Sequence, residues 1–198
     1  MLSEVLQFAP IFNTFKKLIN KDPGASIAGH YIRARPGDFV LDIGCGTATI
    51  LASLPAVHYI GFDPSAKYIA AASQRYGSRG DFRVGVCGDV DLPSLPRMDI
   101  VLALGVLHHV DDAEALSLLQ LARSVLKPGG RFFSSDGCFV QGQSIIAKGL
   151  LRLDRGRYVR TESSYRSLVS RVFPSVKIEI RHDLLRVPYT HILMECAS

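Results

Sequence analysis

The sequence predicts an α/β fold, a doubly wound sheet of parallel strands with helices on both faces, and three observations lead there. The first is the stretch Phe39-Val40-Leu41-Asp42-Ile43, an almost unbroken apolar run of the kind buried on both faces of a parallel sheet. The second is the turn directly after it. Gly44-Cys45-Gly46-Thr47 leads into an Ala/Ile/Leu-rich segment, so strand, glycine turn and helix come in the order of a βαβ half-unit. The third is repetition: apolar runs at 57–63, 82–87, 98–104 and 131–136 recur with helix-like segments between them.

Taken in order, residues 2–20 carry Leu2, Val5, Leu6, Ala9, Phe12, Phe15, Leu18 and Ile19, a helical spacing interrupted at Pro10. This reads as a helical cap over 1–34, with a turn at Lys21-Asp22-Pro23-Gly24 and a helix over 25–34. The first strand and the glycine turn come next, then a helix over 48–54. The second strand, 57–63, ends on Asp63, which lies 21 positions after Asp42. An acidic residue at the tip of a second strand, about 20 residues past a glycine turn, is placed to bind ribose hydroxyls. The competing role is N-cap of a helix over 65–76, with Pro64 at its first position.

Residues 82–87 alternate like a third strand before Gly88-Asp89-Val90, where Asp89 also reads as a turn aspartate. The fourth strand, 98–104, runs into Gly105-Val106-Leu107-His108-His109, and a helix extends over about 113–126. Lys127-Pro128-Gly129-Gly130 carries a helix-stop pattern and introduces a fifth strand ending at Asp136. Residues 137–160 read as an insertion over the C-terminal edge of the sheet, with helical spacing at 144–153. A helix over 161–173, N-capped by Thr161, and strands at 176–180 and 191–196 complete a single domain over 1–198.

Gly44 and Gly46 let the backbone turn sharply and leave room for a ligand against it. The helix beyond offers unpaired N–H groups and a positive dipole end. A dinucleotide pyrophosphate requires Gly-x-Gly-x-x-Gly, and here Thr49 stands in the third glycine's place. The stretch resembles instead the first motif of class I S-adenosyl-L-methionine (SAM)-dependent methyltransferases, an acidic residue closing the strand before Gly-x-Gly-x-Gly. Asp42, Gly44 and Gly46 match, and Ala48 replaces the third glycine. The Gly88-Asp89 pair and the run Leu126-Lys127-Pro128-Gly129-Gly130-Arg131-Phe132 resemble two later motifs of the same family. Residues 38–136 are thus similar to its small-molecule branch, the ubiquinone/menaquinone-methyltransferase-like group.

The resemblance implies a Rossmann-like seven-stranded sheet of order 3-2-1-4-5-7-6, with strand seven antiparallel. It implies SAM as cofactor and S-adenosyl-L-homocysteine as product. Asp42, Gly44, Cys45 and Gly46 would cradle the methionine part, Asp63 and Pro64 the ribose side, and Asp89 and Val90 the adenine. Leu104 and Gly105 would offer backbone near the methionine amino group, and Phe12 would close the pocket. The expected reaction is methyl transfer to a small molecule, with a hydroxyl of a sugar, isoprenoid or lipid-linked compound as the acceptor. His108 or His109 would serve as base with Asp136 as orienter; packing and capping roles for the histidines compete.

Composition narrows the partners. Ten Lys/Arg stand against four Asp/Glu between 148 and 186, while the net charge of the whole chain is +5. Arg157, Tyr158 and Arg160 are therefore candidates for recognising an anionic acceptor. No apolar run is long enough to span a bilayer. The four scattered cysteines form no C-x-x-C pair, which argues against a metal site and for a reducing, cytoplasmic setting. Nucleic acid is not the expected substrate, since no adenine-amino, cytosine-C5 or ribose-methylating signature is present. Two other readings stay open: a SAM-binding module without turnover, and an RNA methyltransferase using the basic C-terminal third.

Overall fold

A computed structural model describes residues 23–153 and 156–197. Of the expected cap over 1–34, residues 1–22, Phe12 included, lie outside the described residues. α1 (Pro23–Ile27) continues as a π-helical turn, Ala28–Ile32. β1 (Phe39–Ile43) and β2 (His58–Asp63) come next, then α2 (Ala66–Tyr76), β3 (Gly80–Val84) and β4 (Met98–Leu104). α3 (Asp112–Val125) leads into β5 (Leu126–Phe139). α4 (Ile145–Leu153), β6 (Arg160–Thr161), α5 (Glu162–Ser170), β7 (Ser175–Arg181) and β8 (His191–Ala197) complete the described chain.

Among the described residues the sheet runs β3-β2-β1-β4-β5-β8-β7, with the two-residue β6 pairing β5 off this path. Leaving β6 aside, this is the order the resemblance implies. β3, β2, β1, β4 and β5 are parallel, and β8 runs antiparallel to both β5 and β7. The strand order reverses between β1 and β4, which opens a crevice at their C-terminal ends.

Two cores explain why β1 and β4 read as continuous apolar runs. Successive side chains on a strand point to opposite faces. Leu41, Ile43, Val101 and Phe132 pack with Leu119 and Ala122 of α3 and Leu168 and Val169 of α5. Val40, Ile100, Leu102 and Phe133 pack on the other face with Ile32, Leu51, Ala72 and Tyr76. The neighbours Phe132 and Phe133 divide between the two: the first stacks on Phe173 at 5.6 Å and the second on Tyr31 at 5.7 Å. Truncating either to alanine would cost about 3–5 kcal/mol.

Four of the differences from the sequence reading have a physical reason in the structure. The expected 48–54 helix is a 3-10 stretch, Thr49–Ser53, because Ala48 adopts the left-handed region at φ 52°. β3 stops at Val84, since Gly85 takes φ 140° and turns the chain, leaving Val86 facing solvent. β5 begins at Leu126, so Lys127-Pro128-Gly129-Gly130 belongs to the strand rather than the helix end. The Lys127 amine then reaches Asp99 at 2.7 Å. β6 is not among the expected strands; it forms where Arg160–Thr161 falls beside Cys138 and Phe139.

Candidate active site

The crevice is built by three strand tips. Asp42 near the tip of β1 is buried; its Oδ2 accepts from the Tyr59 hydroxyl at 2.6 Å. Its Oδ1 is buried with no hydrogen-bond partner among the described residues. Burial pushes the Asp42 carboxyl up to about 7, the Tyr59 hydrogen bond opposing and the Asp63 charge adding. Beyond Asp42 the turn folds back on β2, for the N–H groups of Gly44 and Cys45 both donate to the Phe62 carbonyl, at 2.8 and 2.9 Å. Gly44 has φ 73°, and a Cβ there would lie 2.6 Å from Val106 Cγ2. Glycine is required on both counts.

Asp63 locks the turn to the tip of β2. Its Oδ2 accepts from the Gly46 N–H at 2.9 Å, and its Oδ1 from the Ser65 N–H at 2.8 Å. An ionised carboxylate accepts about four hydrogen bonds, so capacity remains for ribose hydroxyls. The competing N-cap role falls to Ser65, whose hydroxyl accepts from the Tyr68 N–H; Pro64 precedes the helix instead of opening it. Asp89 begins a 3-10 stretch, Asp89–Ser94, held by the Asp91 carboxylate on the Gly88 N–H at 2.9 Å. The Asp89 side chain lies outside what is described, and Val90 is exposed. At the tip of β4, Leu104 is half-buried and the Gly105 N–H donates to Ser135 on β5.

His108 and Asp136 meet at the tips of β4 and β5. His108 Nδ1 lies 2.9 Å from Asp136 Oδ1, and the same oxygen accepts the His108 backbone N–H at 3.3 Å. Against an ionised carboxylate Nδ1 must donate, which leaves the basic lone pair on Nε2. Both residues are buried, whereas His109 is exposed with its ring centroid 4.2 Å from that of His108. The sequence pairing of His108 with Asp136 is thus realised in space, with His109 on the solvent side of it.

The 156–160 segment straps this loop down. The Tyr158 N–H donates to the His108 carbonyl at 3.0 Å. A Cβ on Gly156 would lie 2.3 Å from His108 Cδ2, so glycine alone fits against the ring. Arg160 Nη1 donates to the Leu107 carbonyl at 2.5 Å, Nη2 to that of Val110 at 2.8 Å, and Nε to Asp112 at 2.7 Å. Arg160 is only 9% exposed. The expectation that it meets an acceptor is corrected: its whole fork is taken up by the strap. Arg157 and Tyr158 remain exposed. Tyr59, Ser65, Val106 and Gly156 are the site-building residues that the sequence does not single out. Among the described residues no group of His, Cys, Asp or Glu is arranged to hold a metal ion.

Residues 41–132 match the family described as a methyltransferase domain. That stretch, just under half of the chain, is similar to a SAM-dependent methyltransferase domain. The mouse (Mus musculus) "Probable tRNA methyltransferase 9B" is 34% identical over 100 residues, covering 49% of this chain and 21% of that protein. The ubiquinone biosynthesis O-methyltransferase of Bradyrhizobium sp. is 38% identical over 97 residues, covering 46% of this chain and 36% of that protein. The matched stretch is therefore well under half the length of these curated relatives. In fold, the chain is similar to Haemonchus contortus phosphoethanolamine N-methyltransferase 2, whose structure is a complex containing S-adenosylhomocysteine. The TM-score is 0.67 at 15% identity, over 90% of this chain and 52% of that one.

The residues present fit SAM. Asp42 Oδ1 is a buried acceptor without a partner among the described residues, the turn at Gly44–Gly46 leaves open space at Gly46, and Asp63 stands at the rim. These residues would hold the methionine and ribose parts.

Proposed function

We propose that this domain transfers the methyl group of SAM to a hydroxyl of a small-molecule acceptor. The observation that carries the reading is the His108–Asp136 dyad, strapped at the tips of β4 and β5 beside the Asp42–Gly46 turn. SAM, when bound, supplies a methyl group on a sulfonium centre. Asp42 and the turn position its methionine part, Asp63 its ribose, and the Asp89-Val90 backbone and the tip of β4 flank the rest. Alignment of nucleophile and methyl is worth about 7–11 kcal/mol of barrier when near ideal.

His108 Nε2 takes the acceptor hydroxyl proton, and Asp136 stabilises the imidazolium and fixes the ring. Such a base adds about 10²–10⁴-fold. The Bradyrhizobium relative, named an O-methyltransferase, supports a hydroxyl acceptor. The exposed Arg157 and Tyr158 support one carrying a negative charge. The relative named for tRNA suggests nucleic acid instead. Against that, several arginines of the basic third are engaged with acids: Arg160 with Asp112, Arg166 with Glu162 and Arg181 with Asp183.

SAM or S-adenosylhomocysteine is expected to raise the melting temperature where NAD does not. Phenol- and sugar-containing acceptors are then screened for methyl transfer. His108→Gln should lower turnover by about 10²-fold or more with SAM affinity unchanged. Tight SAM binding with no transfer to any acceptor would favour a module without turnover.

A further inference from the structure

We infer that α4 is an interfacial helix that seats this domain on an anionic lipid surface. The helix Ile145–Leu153 is anchored by one side only: Ala147 and Leu151 are buried. Leu151 Cδ2 sits 2.7 Å from where a Cβ on Gly137 would be, one residue past Asp136 on β5. The helix therefore lies over the end of the strand that carries the dyad.

Its outer side is apolar and not covered by any of the described residues. Ile145 is 88% exposed, Ile146 63% and Leu153 68%. With half-buried Gly149 and Leu150, these positions fill one arc of about 140° at the helical turn of about 100° per residue. Lys148 and Arg152, one turn apart, lie along one edge of that arc and are exposed, and Arg157 is exposed just beyond. The helix contains no acidic residue. An apolar stripe bordered by basic side chains is the pattern of a helix lying in the plane of a membrane interface. Beside it, a cleft of ≈ 530 Å³ is walled by Phe139, Val140, Gln143, Lys148 and Arg166. Its rim is mixed, since Glu162 also lines it and pairs with Arg166, which leaves Lys148 as the base shared between cleft and helix.

Charge decides between occupants. A second copy docking through the same face would place two sets of Lys148, Arg152 and Arg157 in one interface, with no acidic residue on either helix to pair them. An anionic bilayer attracts the same three bases while taking up the stripe. RNA would satisfy the bases but leaves three aliphatic side chains without a stacking partner. At nine residues the helix is far too short to span, so it lies on the surface.

The experiment is co-sedimentation of the full chain with vesicles of phosphatidylcholine alone and of phosphatidylcholine with phosphatidylglycerol. The chain should pellet with the anionic vesicles, remain in solution with the neutral ones, and be released by high salt. Ile145→Glu with Ile146→Glu should abolish pelleting with the melting temperature unchanged, because both side chains already face solvent. Lys148→Glu with Arg152→Glu, a second and independent variant, should weaken partitioning by at least about thirtyfold. SAM binding stays the same in both, which separates this inference from the methyl-transfer reading. It is overturned if the wild-type chain stays in solution with both vesicle types, or if the double isoleucine variant pellets as the wild type does. It is also overturned if that variant instead abolishes a dimer seen by light scattering, or if single-stranded RNA is retained with no sensitivity to the isoleucine changes.

Discussion

Asp42 is buried in the core, and in the proposed function it would also receive a cationic ligand. With the carboxyl raised to about 7 by burial, the native state holds a proton that the unfolded chain, titrating near the ordinary 3.8, has already released. Between those values the native state binds more protons, so this group's contribution to stability is greatest below about pH 4 and falls as pH rises to about 7. The span is on the order of 4 kcal/mol. Asp42→Asn keeps an acceptor for Tyr59 but cannot ionise. Urea unfolding should show the variant gaining on the wild type from about pH 5 to about pH 8. SAM carries positive charge and favours the ionised carboxyl. Its affinity should therefore rise with pH through the same range, with proton release visible by calorimetry in buffers of different ionisation enthalpy.

Ala48 is a second residue-scale test. Relieving its left-handed backbone with glycine would gain about 1–2 kcal/mol. Losing a buried methyl costs about 0.8 kcal/mol, and the freer unfolded chain about 0.4–1 kcal/mol. Ala48→Gly should therefore move stability by less than about 1 kcal/mol in denaturant titrations, which explains how alanine persists where the family motif has glycine.

Among elements, the strap over 156–160 matters most to the site. Removing the Arg160 fork leaves the Leu107 and Val110 carbonyls short of their donor and loosens the loop that holds His108. Arg160→Ala should lose about 2–4 kcal/mol of stability. Turnover should fall further than SAM affinity, because the cofactor turn lies on β1 and β2. Arg160→Lys, lacking a planar fork, should restore little of either. The strap also marks the edge of what the sequence makes legible. β1, β2 and β4 are legible because a strand buried on both faces writes itself locally as an apolar run, and Asp42, Asp63 and the glycine turn are legible with them. Arg160 reads as a surface cation because nothing local to Arg157-Tyr158-Val159-Arg160 records that the fold lays it across residues 107–112. Ala48 hides its backbone conformation for a related reason: its side chain is helix-compatible, and the sharp turn before it is what selects φ. Ser65 takes the cap from Asp63 because a carboxylate at a strand tip is already engaged by the turn.

At the scale of the whole molecule, the four cysteines are free thiols, and burial pushes Cys45, Cys138 and Cys196 up to about 12 and Cys87 to about 11. Since the thiolate is the reactive form, native protein at mild alkaline pH should label slowly with a thiol reagent at every cysteine. Past the urea midpoint all four should react together, so that labelling tracks global unfolding. Cys45, half-buried on the cofactor turn, should be the fastest of the native set and should slow further when SAM is added.

The placement of β8 has a consequence for how the chain is made. β8 lies between β5 and β7, and its partner β5 is synthesised long before it. Until residues 191–197 leave the ribosome, β5 presents an open edge and β7 has no partner strand. Synthesis at about 5–20 residues per second leaves that edge bare for several seconds. In that window the nascent sheet offers its longest strand to any passing extended peptide. A stall before residue 191 would expose an apolar edge of the kind holdase chaperones cover.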